Sequence, residues 1–251
     1  MESSVNTTSI LPAIWEVPQE FRDRLGKKVG RQRAMHADGH LLLVLHDPPT
    51  PQDSERKGRL FWRQPDGQWH SNGLGDGPGA LQKHLNHYAD RVEQIEQSEE
   101  QAASSDDYFN VLEQLAPLHR ATRNLHQVLQ DARQLVSDDR DIINMRDRAY
   151  EVERVAELLY TGAQHALEYT VARRAEDEAK SSRQMAVAAH RLNMLAGFFF
   201  PIATLCAIFG VNLEHKLEDL PGPLPFLLLV VVGLIAGAVL TVFLQSPKTD
   251  K

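Results

Sequence analysis

Several oxygen-bearing groups that could attract and hold a metal cation lie in one short segment near the end of the 251-residue chain. The tripeptide Gly210-Val211-Asn212 supplies a neutral amide, and Glu214, Glu218 and Asp219 supply carboxylates. Neutral amide and carbonyl oxygens can hydrogen-bond to a hydrated divalent cation without binding it too tightly to leave. The carboxylates could concentrate cations by electrostatic focusing, although an ordinary solvated loop explains these three residues equally well.

Two uncharged stretches flank this segment and are long enough to cross a membrane. They run from Leu192 to Leu213 and from Leu224 to Leu244. Each has roughly 20 residues, the length that a helix needs to span about 30 Å of hydrocarbon. Buried core helices are the alternative, but soluble helices rarely stay apolar on every face for so long. Because Lys and Arg precede the first stretch and follow the second, the positive-inside rule places both termini in the cytoplasm and the acidic loop outside.

A proline and two glycines within these stretches indicate how the two helices meet. Pro201 removes a backbone hydrogen bond from the first helix, so the freed carbonyl needs a neighbouring helix or water close by. Gly233 and Gly237 have the small-xxx-small spacing that permits close helix contact in a membrane.

The helices and strands that would position the acidic loop come before the two apolar stretches in the chain. Apolar residues spaced three and four apart predict one continuous helix from about Asp139 to about Gly210, roughly 100 Å long. Helices are also predicted from Pro78 to Ala102 and from Ser104 to Val136, packed along the long helix as an antiparallel bundle. Asp38-Gly39 and Asp66-Gly67 lie between short apolar runs and predict two β-hairpins.

The predicted fold class is a mostly α membrane protein with a small N-terminal α+β domain. A helical bundle follows, and its very long stalk helix continues into the first of two C-terminal transmembrane helices. The predicted divisions are residues 1–77 for the cytoplasmic α+β domain, 78–191 for the cytoplasmic bundle and stalk, 192–245 for the transmembrane pore domain and 246–251 for a cytoplasmic tail.

Composition and motifs give little support to several other classes of protein. The formal net charge is −7, and no basic run interleaved with aromatics supports nucleic-acid binding. The single cysteine, Cys206, cannot form an intramolecular disulfide, which fits a reducing compartment. No arrangement of Ser, His and Asp suggests an enzyme, and no cofactor is expected. His84 and His87 could share a metal, but without a third ligand they are predicted to be surface histidines.

This combination of features resembles the CorA superfamily of divalent-cation channels and transporters. The resemblance covers the architecture of residues 78–245, and in sequence it is strongest from Phe199 to Leu213. The usual tripeptide of the family is Gly-Met-Asn, and valine at position 211 is more similar to the ZntB branch, which is associated with zinc. The N-terminal domain is also much shorter than is usual for the family.

The resemblance implies roles for residues of the first span. Gly210, Val211 and Asn212 would form a selectivity filter at the outer mouth, where Asn212 repeats as a ring and Gly210 lets the backbone turn. Counting back from Asn212, the pore-lining positions would be Asn193, Phe200 and Ala203, with Thr204 adjacent.

Two further roles follow from the same resemblance. A ring of Phe200 would form a hydrophobic constriction that closes by dewetting, unless this side chain faces lipid. Asp177 and Glu178 are weak candidates for metal sites between subunits, and a charged helix surface is the favoured alternative.

The predicted function is a homo-oligomeric, pentameric channel for divalent metal cations, in a multi-pass arrangement in the cell inner (plasma) membrane and in contact with lipid. The cargo would be Mg²⁺ or Zn²⁺, with Co²⁺ and Ni²⁺ as related ions, and the membrane potential would drive it. Proton-coupled zinc transport is one alternative, and a non-conducting stalked scaffold or signalling protein is another.

Overall fold

The computed structural model describes residues 10–210 and 223–245 of the chain. The chain divides into two compact units, Met1–Ala172 and Arg173–Lys251. The elements, in chain order, are α1 (Gln19–Asp23), β1 (Arg33–Ala37), β2 (His40–His46), β3 (Gly58–Arg63), β4 (Trp69–Ser71), α2 (Gly79–Glu100), α3 (Ser105–Leu135), α4 (Arg140–Gly210) and α5 (Leu224–Gln245).

The four strands form an antiparallel sheet in the order β1-β2-β3-β4. The first hairpin turns at Asp38 and Gly39, whose φ angles of 51° and 77° lie in the left-handed region. Ala37 pairs with His40 directly across this turn. Asp and Gly are among the residues that adopt such angles most easily, so the Asp-Gly pair determines where the strand reverses. The predicted hairpins are confirmed, and with α1 they give the predicted small N-terminal α+β fold.

Strand β2 is apolar at almost every position, and its side chains pack into a core on each face of the sheet. Leu41, Leu43 and Leu45 contribute to the core that also contains the buried residues of α2, α3 and α4. The alternate residues Leu42 and Val44 point to the other face, as expected for a strand. There they join a second core with residues of the N-terminal segment, α1, β1 and β3, namely Leu11, Trp15, Phe21, Met35, Ala37, Leu60 and Trp62.

Helices α2 and α3 begin and end where the local sequence indicates. A capping box starts α3: the Ser104 hydroxyl accepts a hydrogen bond from the Asp107 N–H at 3.2 Å. In return, the Asp107 carboxylate accepts from the Ser104 N–H at 2.8 Å. This reciprocal pair satisfies two donors that a helix start would otherwise leave unbonded. Pro117 lies inside α3.

Helix α4 has 71 residues and confirms the predicted continuous helix. Asp139 precedes it and accepts hydrogen bonds from the N–H groups of Asp141 at 2.9 Å and Ile142 at 3.2 Å. The other carboxylate oxygen of Asp139 lies 2.6 Å from Arg63 Nε, and both side chains are largely buried, 14% and 10% exposed. One carboxylate therefore both caps α4 and joins it to the end of β3.

The prediction that His84 is a surface residue is wrong. Its side chain is 0% exposed, and its ring packs against Phe61 and Tyr88 with centroids 5.4 Å apart in each case. Among the described residues neither ring nitrogen has a partner in good hydrogen-bond geometry, and Nδ1 lies 3.9 Å from an Asp47 carboxylate oxygen. Burial lowers the pKa of His84 to about 4, so its ring is neutral at physiological pH. His87 is exposed, as predicted.

Candidate functional site

The last part of α4 is uncharged and exposed within the chain. From Leu192 to Gly210 it contains no Asp, Glu, Lys or Arg. Leu192, Leu195, Phe200 and Ile208 are each more than half exposed, at 67%, 59%, 70% and 52%. By length and composition, α4 is the one helix among the described residues that can cross a membrane, and a shorter apolar segment runs from Phe226 to Val242 in α5. Lipid or other copies of the chain would remove this apolar surface from water.

Helix α5 packs against α4 at two glycines. A Cβ atom built on Gly237 would lie 2.5 Å from the Phe198 carbonyl oxygen. A Cβ on Gly233 would lie 2.9 Å from Cγ1 of Ile202 and 3.4 Å from its Cα. Only glycine permits the first of these approaches, because the neighbouring atom belongs to the backbone. The spacing of these two glycines therefore allows α5 to pack closely against α4, as the sequence indicates.

This contact lies beside Pro201. Since proline has no N–H, the carbonyl four residues earlier, at Gly197, receives no helical hydrogen bond from it. Gly197 is buried. Gly237 of α5 approaches the next carbonyl, that of Phe198, so α5 lies beside this turn of α4. A neighbouring helix is what the proline predicts at this place.

The candidate pore-lining residues lie on the face of α4 that α5 leaves uncovered. Successive residues of an α-helix are about 100° apart, so Phe200 points about 200° away from Ile202. Asn193 and Thr204 are seven before and four after Phe200, which places them on the same side of the helix. All three side chains are exposed within the chain. The Thr204 hydroxyl donates to the Phe200 carbonyl at 2.8 Å, so its hydrogen is already engaged.

Ala203 lies at the edge of this face. It is also exposed, and it is about 80° around the helix from Asn193. Asn193, Phe200 and Thr204 are therefore brought together on one surface, and Ala203 borders it.

The proposed filter begins where α4 ends. Gly210 is the last residue of the helix. Val211 and Asn212 lie outside the described residues, as do Glu214, Glu218 and Asp219 of the loop. The filter and the cation-attracting loop thus stay predictions from the sequence.

The weak metal candidates are surface residues of α4. Asp177 and Glu178 are both exposed. Lys180 Nζ lies 2.8 Å from Glu176 and 3.8 Å from Asp177, in ion pairs that are mostly solvated. Across residues 10–210 and 223–245, no group of three or more His, Cys, Asp or Glu side chains is arranged to hold a metal ion. The sites proposed between subunits at Asp177 and Glu178 stay a prediction from the sequence.

Several solved structures are similar to this chain, among them the two that follow. No family model and no curated protein matches the chain. The structure of the full-length CmaX protein is similar over 86% of this chain and 78% of that chain, with 15% identity and a TM-score of 0.49. A CorA magnesium transporter from Methanocaldococcus jannaschii is similar over 87% and 82%, with 12% identity and a TM-score of 0.42. The second is named for the family that the sequence resembles, and neither assigns a role to a residue of this chain.

Proposed function

We propose that the protein is a homo-oligomeric membrane channel or transporter for divalent metal cations, with Mg²⁺ as the principal cargo. The observation that carries this proposal is the end of α4. An unbroken helix presents Phe200 and Thr204 on the face opposite α5 and ends at Gly210, the first residue of the Gly-Val-Asn tripeptide. That free face can line a path which only several copies together would enclose.

Oligomerisation is a physical requirement of this function. Two membrane-crossing helices cannot surround a pore, so several copies must contribute one face each. A ring of Asn212 amides at the outer mouth would hydrogen-bond to a hydrated ion, which suits Mg²⁺ because this ion loses its water reluctantly. The number five comes from the resemblance to the CorA superfamily.

The membrane potential is sufficient to drive such an ion inward. A doubly charged ion gains about 4.6 kcal/mol per 100 mV. In the proposed topology both termini are cytoplasmic, and Glu214, Glu218 and Asp219 lie at the outer entrance, where they raise the local cation concentration.

Proton-coupled zinc transport is the second candidate function. It is favoured by Val211, which occupies the middle of the tripeptide where the magnesium-associated motif has methionine. A pH gradient would then be a necessary part of the driving force.

Flux into proteoliposomes distinguishes these functions. Purified protein is reconstituted with a magnesium or a zinc indicator inside, with and without a pH gradient. Magnesium entry that is independent of the pH gradient is expected. Zinc entry that requires the gradient would favour the second candidate, and no flux of either ion from folded protein would leave a non-conducting scaffold.

A further inference from the structure

A cavity in the first unit is lined by three cationic side chains and three carboxylates, and one of these carboxylates, that of Asp47, is paired with Arg59. It has a volume of about 430 Å³ and lies between the loop that joins β2 to β3 and one side of α2. The loop contributes Arg56 and Lys57, and α2 contributes Arg91. We propose that this cavity binds a small phosphate-bearing anion through these three side chains.

None of the three cations forms a close ion pair among the described residues, although Arg56 and Lys57 attract the Asp53 carboxylate electrostatically. Arg59, Arg63, Arg148 and Arg154 all form ion pairs, whereas Arg56, Lys57 and Arg91 form none within the described part of the chain. The Arg91 guanidinium is held by two neutral amides, Gln94 at 3.1 Å and Gln114 at 2.9 Å. Its Nε is buried and has no hydrogen-bond partner in the part of the chain that the structure describes. These contacts fix the guanidinium in place and leave its charge available to a ligand.

The three carboxylates at the cavity leave it an excess of one positive charge, because only Asp47 is paired with a cation outside the lining. Asp47 accepts from Arg59 Nε at 2.6 Å, so its charge is already compensated. The Asp53 carboxylate accepts from the Thr50 N–H at 2.7 Å, and this hydrogen bond, with a smaller contribution from Lys57 and Arg56, lowers the pKa of Asp53. Its negative charge therefore stays at the cavity and opposes an anion. Asp90 is exposed on α2 and also lines the cavity. Its negative charge would weaken anion binding, which gives the proposal a test with a definite sign.

A phosphate group suits this arrangement better than other anions. Arginine presents a planar set of N–H donors that matches phosphate oxygens, and lysine adds a point charge. The cavity volume falls within the range of small-molecule sites, so it can accept more than a single phosphate. A diphosphate group could contact cations from the loop and from α2 at once. The proposal is independent of ion transport, because it concerns binding to the first unit alone.

Titration calorimetry of the full chain in detergent tests this site with sodium pyrophosphate in the presence of EDTA. Saturable binding with a Kd below about 1 mM is expected, because several charge-assisted hydrogen bonds would hold the anion. The double variant Arg56→Gln/Lys57→Gln should bind at least about tenfold more weakly. The matched control Lys83→Gln/Arg123→Gln removes the same charge from exposed positions outside the cavity and should bind like the wild type.

Asp90→Asn tests the direction of the electrostatic effect, since removing this negative charge should strengthen pyrophosphate binding. Absence of saturable binding up to about 10 mM, roughly ten times the expected upper Kd, would overturn the proposal. Equal weakening in both double variants would also overturn it, because only the net charge of the chain would then matter. Thermal unfolding of each variant without ligand verifies that the cavity is still folded.

Discussion

Replacing Gly237 with alanine tests the packing that holds the free face of α4 in its orientation. The new Cβ would lie 2.5 Å from the Phe198 carbonyl oxygen, a backbone atom that cannot move without shifting the helix. Overpacking of this kind costs roughly 1–3 kcal/mol. The substitution also removes the conformational freedom of a glycine in a helix, which offsets up to about 1 kcal/mol of this cost.

Two further glycines provide matched controls for the same substitution. A Cβ on Gly233 would meet Cγ1 of Ile202 at 2.9 Å, and this side-chain end can rotate away. A Cβ on Gly162, inside α4, has no atom within 4 Å. Gly162→Ala should therefore stabilise the protein by about 1 kcal/mol. Gly233→Ala should be intermediate, and Gly237→Ala should be the least stable of the three.

Thermal unfolding of the detergent-solubilised protein, followed by far-ultraviolet circular dichroism, measures this order. The difference between Gly237→Ala and Gly162→Ala should be roughly 1–3 kcal/mol, since both gain the same backbone restriction and only one meets a backbone atom. If Gly237→Ala were as stable as Gly233→Ala, α5 would not approach α4 at the Phe198 carbonyl. The assignment of Phe200 and Thr204 to an uncovered face would then lose its basis.

Two further predictions concern the first unit. The pKa of His84 falls from 6.5 to about 4 on folding, so its contribution to the free energy of unfolding is complete above pH 6.5 and is lost as the pH falls towards 4. Between pH 7 and pH 5, chemical unfolding should show that the wild type loses about 2 kcal/mol more of this free energy than His84→Leu does. Equal losses in the two proteins would contradict the neutral, buried ring. Arg63→Met should destabilise the first unit by about 3 kcal/mol because it leaves the Asp139 carboxylate largely buried without its partner. The double variant Arg63→Met/Asp139→Asn removes that charge while keeping an N-cap residue, so it should recover part of the loss; a double variant less stable than the single one would show that the ion pair is not the cause.

Most of the fold could be predicted because its main signals come from residues that are close together in the sequence. The Asp38-Gly39 turn, the Ser104 cap and the three-and-four spacing of apolar residues in α4 are local signals. His84 was mispredicted because histidine is usually exposed, yet it lies on the same face of α2 as Leu81 and Tyr88, three before it and four after it. That spacing is the signal that could have identified it as buried.

Contacts between distant residues could not be read from the sequence. Arg63 and Asp139 are 76 residues apart, and no local pattern pairs them. The spacing of Gly233 and Gly237 indicates a close contact, but it does not say that Phe198 and Ile202 receive them. The proposed role of Asn212 depends on a symmetric ring formed by several copies of the chain, so contacts within one chain cannot show it.

Uptake of Mg²⁺ into proteoliposomes under an imposed membrane potential tests the central claim most directly. A potassium gradient with valinomycin makes the interior negative, and an internal magnesium indicator reports entry for the wild type, Asn212→Ala and the control Asn124→Ala, an exposed residue of α3. Potential-dependent Mg²⁺ entry is predicted for the wild type and for Asn124→Ala, with lost or altered ion preference for Asn212→Ala. Wild-type protein that is folded and oligomeric but admits no divalent cation would contradict the proposed function, and an unchanged ion preference in Asn212→Ala would contradict the filter.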